Sequence, residues 1–222
     1  MKKYRKLTES EIRQLESQLC AAEDWTMVEV VEGFSPEFIR GVRFSGIVLL
    51  GKFVKHFEMP GGIRKHSGIY HATLHNVSVG DDCCIENVKN YIANYEIGHD
   101  TFIENVDIIL TDGLSTFGNG VEVMVLNETG GREVMIYDRL TAQTAYVMAL
   151  YRHRPEMIEN LRAAIGRYVN GVASSKGYIG SYVTIVDAGY IKNVKIGAYC
   201  KIEGASRLKN GSINSNEYAP VH

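Results

Sequence analysis

No run in this chain of 222 residues approaches the roughly 18 consecutive apolar residues of a membrane-spanning helix. An excess of one charge is also missing, since 24 Lys and Arg stand against 26 Asp and Glu for a net charge of −2. Without a basic stripe, neither nucleic acid nor a membrane is expected as a partner. Cysteine is scarce, and Cys20, Cys83, Cys84 and Cys200 form no CxxC with metal-ligand spacing. That usage fits reduced thiols and a cytoplasmic setting. The basic start, Met1 to Leu7, leads into a polar amphipathic stretch rather than an apolar core, so no secretory signal is expected. GxxxxGK[ST], a dinucleotide fingerprint, GxSxG and HExxH are all absent, which removes sequence support for P-loop, Rossmann, serine-hydrolase and zincin chemistry. Hydrophobic content of 45% with 23% charged residues is that of a globular chain, not of a disordered one or a coiled coil.

What the chain does have is an internal repeat. Written in sixes, its middle reads VGDDCC from Val79, IENVKN from Ile85, YIANYE from Tyr91, IGHDTF from Ile97, IENVDI from Ile103 and ILTDGL from Ile109. VGDDCCIENV (79–88) aligns with IGHDTFIENV (97–106) without a gap, and a third copy starts at Ile179 as IGSYVT, IVDAGY and IKNVK. It continues one residue early, at Ile196, with IGAYCK, IEGASR and LKNGSI. A period of six that closes in eighteen is the pattern of a parallel β-helix, three short strands to a coil. The leading aliphatic of each six then points inward, Tyr91 included. Asn87, Asn105 and Asn193 occupy the same place in their blocks and predict an Asn ladder at one αL corner. Gly80, Gly98, Gly180 and Gly197 follow the inward aliphatic for a steric reason.

V/I-G-x-x-x-x followed by I-E-N-V resembles the hexapeptide-repeat superfamily. The resemblance implies a left-handed coil, although the general rule for crossovers favours the right hand. That superfamily includes many acyltransferases, parts of sugar-phosphate nucleotidyltransferases, and gamma-class carbonic anhydrases that bind metal through three histidines. The segments GGIRKHSGIYHATLHN (61–76), STFGNGVEV (115–123), NETGGREV (127–134) and KIEGASRLKNGSINSNE (201–217) resemble an uncharacterised bacterial domain family of longer proteins.

Around the repeat, LTESEIRQLESQL carries a capping box, Thr8 with Glu11, followed by Ile12, Leu15 and Leu19 on one helical face. Pro36 after Ser35 marks a second, short helix start, and Pro60-Gly61-Gly62 a turn. Residues 44 to 79 look strand-like but irregular. Val121/Val123/Val125 and Val134/Ile136 read as a strand pair or an elongated coil edge around NETGGR. Leu140 to Arg152 and Pro155 to about Val172 read as two helices. The expected organisation is mainly β: a helical cap over 1–40, a left-handed parallel β-helix over 41–138, an inserted α-helical hairpin over 139–175, and the β-helix again over 176–222. The last coil carries no covering helix, so the coils are expected to continue or to be covered by a partner.

Three groups of residues could carry chemistry. His66, His71 and His75 are a candidate metal set, with surface or corner histidines as the alternative. His71, His75 and His99 are candidates for a catalytic general base, and Asp100 could orient His99 only if its side chain turns the same way. Asn127, Glu128, Arg132, Arg139 and Arg152 gather at the junction of coil and insertion, where Arg forks suit a phosphate and a surface salt-bridge network is equally plausible. Of Cys83 and Cys84, alternation sends one inward and one outward, as packing residues. The expected function is transfer of an acyl group from CoA to a sugar or related acceptor, or a sugar-nucleotide-related transfer. A non-catalytic scaffold is the alternative, and a divalent-metal site of the gamma-class carbonic anhydrase kind comes third. A small-molecule substrate and a homo-oligomer such as a trimer complete the expectation.

Overall fold

The computed structural model describes residues 3–125 and 130–222. The chain opens with strand β1 (Tyr4–Lys6) and helix α1 (Glu9–Ser17). The capping box forms: Glu11 N donates to Thr8 Oγ1 at 3.3 Å, and Thr8 N donates to Glu11 Oε2 at 2.8 Å. Leu15 is fully buried, but Leu19 is 82% exposed and lies beyond the helix. The chain has already turned there, with Leu19 at φ 63, and this residue makes the first corner of the strand stack.

A stack of parallel strands follows. It begins with β2 (Ala21–Ala22), β3 (Val28–Val31), β4 (Ile39–Ser45) and β5 (Val48–Leu50). An antiparallel hairpin, β6 (His56–Met59) and β7 (Ile63–His66), interrupts it at Pro60–Gly62. The stack continues through β8 (Gly68–Val79), β9 (Cys84–Ile97) and β10 (Phe102–Leu110). An excursion then carries hairpin β11 (Val121–Met124) and β12 (Glu133–Ile136), helix α2 (Ala142–Leu150) and helix α3 (Pro155–Val172). The stack resumes with β13 (Gly177–Ile179), β14 (Thr184–Val186), β15 (Tyr190–Ile196), β16 (Lys201–Glu203) and β17 (Arg207–Ile213). Four of these strands, β9, β13, β15 and β10, pair in a closed parallel ring. Closure is possible because β9 turns two αL corners, at Asn87 and Asn94, without losing its pairings. No helix among the described residues is long and apolar enough to cross a membrane.

Inside, like residues lie on like residues in three columns. Ile39, Ile69, Ile85, Ile103, Ile185 and Ile202 are successive partners in register. Phe44, Leu74, Ile92, Ile109, Ile191 and Leu208 form the second column. Val30, Leu50, Val79, Ile97, Ile179, Ile196 and Ile213 form the third. Each fully buried member contributes about 1.5–3 kcal/mol of apolar burial. The second column corrects the sixes. Val88 pairs with Val106 but Tyr91 with Ile108, so β9 carries one extra residue and Ile92, not Tyr91, faces inward. Tyr91 is left 37% exposed.

The corners are columns too. Leu19, Gly41, His71, Asn87, Asn105, Asp187 and Gly204 all adopt positive φ. The strand registers place these seven at successive layers of one corner. Asn193 is not among them. It extends a second corner with Gly46, Asn76, Asn94 and Asn210, where Asn76 Nδ2 donates to Asn94 Oδ1 at 3.3 Å and Asn193 Nδ2 to Asn210 Oδ1 at 3.1 Å. The single Asn ladder expected from the sequence is therefore two ladders, because an Asn follows the inward aliphatic by two residues on two different faces. At the third corner, a Cβ on Gly80 or Gly98 would stand 2.6 Å from the amide nitrogen of His99 or Ser181 in the next layer. Only glycine lets the layers close there. The supposedly irregular stretch before Val79 also belongs to the stack, with Gly41 and Gly46 in corner positions that asparagine fills later.

The excursion leaves after Leu110, well before residue 139, and its base is zipped by Ser115 and Ser174, each N–H donating to the other's carbonyl at 2.9 Å. β11 and β12 pair only with each other, so they are a strand pair and not a coil edge. Val134, Met148, Ala149 and Ile165 give the excursion a small core of its own. Back in the stack, Gly177 lies on Tyr95 in register. The Tyr95 ring fills the space a side chain on Gly177 would take, and a Cβ there would also stand 2.5 Å from Thr111 Oγ1. Tyr95 Oη reaches past Gly177 to donate to Val194 O at 2.7 Å and accept from Val194 N at 3.2 Å. Burial pushes the phenol up to about 12 despite these bonds.

Two outcomes follow from this packing. Tyr95→Phe strands a buried N–H and C=O on Val194 and should cost about 1–3 kcal/mol; Gly177→Ala should cost a similar amount by overpacking. Because the Tyr95 ring contributes to both while the Thr111 contact stays, Gly177→Ala made in a Tyr95→Leu background should lose part of its own cost in urea unfolding, and strictly additive losses would refute the coupling. At the N-terminus, bonds of 2.8 and 2.9 Å from Arg5 hold the Glu11 carboxyl down at about 2, from an ordinary 4.5. A depressed carboxyl stabilises the fold above its unfolded value and stops doing so as pH falls through its folded one. Glu11→Gln should therefore cost roughly 1 kcal/mol at pH 7 after solvent screening, with the difference from wild type closing between pH 4.5 and 2.

Candidate functional site

The third corner carries the most reactive geometry. Asp82 and Asp100 hold equivalent αL positions there, one layer apart, followed by Tyr182 and Tyr199. Asp82 Oδ1 accepts from Val54 N at 2.8 Å and Lys55 N at 3.1 Å. Pinning that backbone aims the Lys55 side chain at Asp100, with which it forms an ion pair. The other Asp100 oxygen, Oδ2, is 2.7 Å from His99 Nδ1. Burial works against the Asp100 charge, but Lys55 and His99 together hold its carboxyl below the usual range. His99 stands edge-on to Tyr182 with ring centroids 5.0 Å apart, and Tyr182 stacks on Tyr199 at 4.8 Å. With Nδ1 bonded to the carboxylate, the half-exposed His99 ring keeps Nε2 without a bonding partner among the described residues.

His75 is occupied on both sides: Nδ1 meets Ser45 Oγ at 2.8 Å and Nε2 accepts from Asn76 Nδ2 at 2.9 Å. His71 sits exposed at the first corner, against Gly41. His66 belongs to the β6–β7 hairpin, stacked on Phe38 at 3.5 Å and bonded through Nδ1 to Ser67 O at 2.7 Å. The expected metal set of His66, His71 and His75 is thus dispersed over a hairpin and two corners, because spacings of five and four residues carry the chain round the coil. Among the described residues no group of three or more His, Cys, Asp or Glu is arranged to hold a metal.

A second feature lies where α3 faces the stack, a cleft of about 440 Å³. Arg139 lines it, with its guanidinium 4.9 Å from the centroid of the Tyr168 ring. Tyr168 Oη donates to Asp138 Oδ1 at 2.6 Å, and burial together with that bond raises the phenol. The other expected phosphate ligands are elsewhere. Arg152 is tied to the Glu133 carbonyl at 2.5 Å, Arg132 is exposed before β12, and Asn127 and Glu128 lie outside the described residues. Lys195 and Tyr178 line the cleft unanticipated. Their signal was the alternation: each immediately precedes an inward aliphatic, Ile196 or Ile179, and so points out. Gly197, also in the lining, stands two layers from Gly98 at the third corner, about 10 Å at the usual spacing.

Cys83 and Cys84 are both fully buried. Cys83 packs in the core, while Cys84 is in register with Phe102 on the outer side. The β6–β7 hairpin covers that side, with Phe57 against Phe102 at 5.3 Å and Lys65 bonded to Glu86 at 2.8 Å and Glu104 at 2.6 Å. Burial, with Glu86 nearby, pushes the Cys84 thiol up to about 12.

Stacked parallel strands with αL corners, a histidine–carboxylate corner and a polar cleft beneath an inserted helical hairpin define a mainly β protein. The chain belongs to the family described as "Domain of unknown function (DUF4954)", whose model matches residues 4–222. It is similar to an "Uncharacterized protein" of Treponema pallidum (strain Nichols), 26% identical over 232 residues that cover 98% of this chain and 32% of the relative. The chain thus spans about a third of the length of that relative. No solved structure matches it.

The hairpin cover makes thiol reactivity a direct readout. Native protein should leave its cysteines unreactive to a thiol reagent, and replacing residues 56–66 by a short turn should expose one thiol, Cys84. Reaction of Cys84 in the native protein would show that the hairpin does not seal it.

Proposed function

We propose that this chain is a section of left-handed parallel β-helix of the hexapeptide-repeat kind, and that it serves acyl transfer from CoA to a sugar or related hydroxyl acceptor. One observation carries the catalytic part, the 2.7 Å contact of His99 Nδ1 with Asp100 on a half-exposed ring, which leaves Nε2 without a partner among the described residues. In this reading Nε2 takes the acceptor's hydroxyl proton as its oxygen attacks the thioester carbonyl. The new C–O bond forms, the C–S bond breaks, and the proton passes to the departing thiolate. Asp100, itself held by Lys55, fixes the ring and stabilises the imidazolium. The six-residue alternation, the αL corners and the parallel register support the coil type. Four free, buried cysteines support a reducing compartment such as the cytoplasm. A scaffold role is the second reading, favoured by the exposed Tyr146, Leu150 and Met157 on the inserted helices, which suit contact with further copies in a homo-oligomer such as a trimer.

The test is acetyl-CoA turnover against a panel of sugar acceptors. His99→Asn should lower kcat roughly 100-fold or more with little change in Tm, while His71→Ala and His75→Ala should not. Turnover that survives His99→Asn would remove this residue from catalysis, and no turnover with any acceptor would favour the scaffold.

A further inference from the structure

The cleft under α3 contains two cations, Lys195 and Arg139, that form no ion pair among the described residues. Lys195 has no hydrogen-bond or carboxylate partner among the described residues, although it is only partly exposed. Arg139, itself exposed, likewise has no ion pair among the described residues and lies over the face of Tyr168. Lys65 and Lys192, of intermediate exposure like Lys195, are paired with Glu86 and Glu104 and with Asp112. An adjoining groove of about 310 Å³ shares Val172, Tyr178 and Lys195 with the cleft and adds Lys176 and Glu96. Over the two spaces three cations face two carboxylates, Asp138 and Glu96, and Asp138 is engaged by Tyr168. That balance suits a single phosphate rather than a polyphosphate chain. Beside the cations the lining is apolar: Tyr178, 41% exposed, and Val172 of α3 line both spaces. The combined space is that of a small-molecule site.

We propose that this cleft binds a ring-bearing phosphomonoester, with the phosphate between Arg139 and Lys195 and the ring against Tyr178. The binding claim stands apart from the transfer chemistry; identifying the ligand as the acceptor rests on His99 acting as base, two layers from Gly197 at the edge of the cleft. A sugar phosphate and a nucleoside monophosphate share the required chemistry.

Isothermal titration of the full chain with glucose 1-phosphate and, separately, with UMP tests it. Saturable binding of either is expected, weakened roughly tenfold or more by Lys195→Gln and by Arg139→Gln, and unaffected by Lys192→Gln. Tyr178→Ala should weaken the ring-bearing ligands while leaving Tm unchanged, since the side chain is largely outside the core. Whichever probe binds identifies the ring. Binding of neither, or binding that both charge variants retain, overturns the proposal, and each of those results can be read whether or not any acyl transfer is found.

Discussion

The vertical register between layers governs this structure more than any other interaction. Parallel strands about 4.8 Å apart make each position depend on the residue above and below it. The six-isoleucine column from Ile39 to Ile202 is the apolar consequence. The αL corner from Leu19 to Gly204 is the backbone consequence, since a tight corner repeated at every layer demands positive φ at every layer. Glycine, asparagine and aspartate fill it at low cost. Leu19 shows that the stack can impose the conformation on a residue that does not favour it.

Such a register makes a long excursion costly unless the layers on either side are still tied together. Here the chain departs after Leu110 and returns at Gly177; the layers on either side are tied by the pairing of β10 with β14 and β15 and of β9 with β13, and inside the stack by one side chain. Tyr95 spans the layer that Gly177 leaves empty and bonds both backbone groups of Val194 beyond it. The glycine and the tyrosine form one device: a larger residue at 177 would displace the ring, and a smaller one at 95 would leave a void and two unpaired groups. The same detour places α3 against the outer face of the stack and so creates the cleft. Closure of the core and formation of a binding space have a common origin.

Much of the fold was legible because its period is short and its corners are chemically marked. VGDDCCIENV and IGHDTFIENV do lie on one another, as their ungapped match implied. The capping box at Thr8, the turn at Pro60 and the start of α3 at Pro155 were legible for local reasons. The errors came where the period slips by one. An extra residue between Val88 and Tyr91 turned Tyr91 outward, and asparagines on two faces looked like one ladder. The β-helix was expected from residue 41, but β2, β3 and the corner at Leu19 fall in the stretch read as a helical cap, where no asparagine marks the corner. For the site, sequence proximity was a poor guide. Arg139 and Arg152 are near in sequence, but one lines the cleft and the other is tied to Glu133; Lys195, far away along the chain, joins Arg139.

The two aspartates of the third corner show how a repeat can yield both structure and chemistry from one position. Asp82 and Asp100 share the αL conformation and the same place in consecutive layers. Asp82 spends its carboxylate oxygen on the backbone of Val54 and Lys55, so it is a structural group. By doing so it delivers the Lys55 ammonium to Asp100, which is left free of backbone duties on that side and divides its oxygens between Lys55 and His99. Beyond it, tyrosines take the corner at 182 and 199 and give the imidazole an aromatic edge to lean on. Only one layer in the column thus combines a carboxylate, a histidine and a cation. The turn itself requires neither the histidine nor the cation, since Tyr182 and Tyr199 take the same conformation in the following layers.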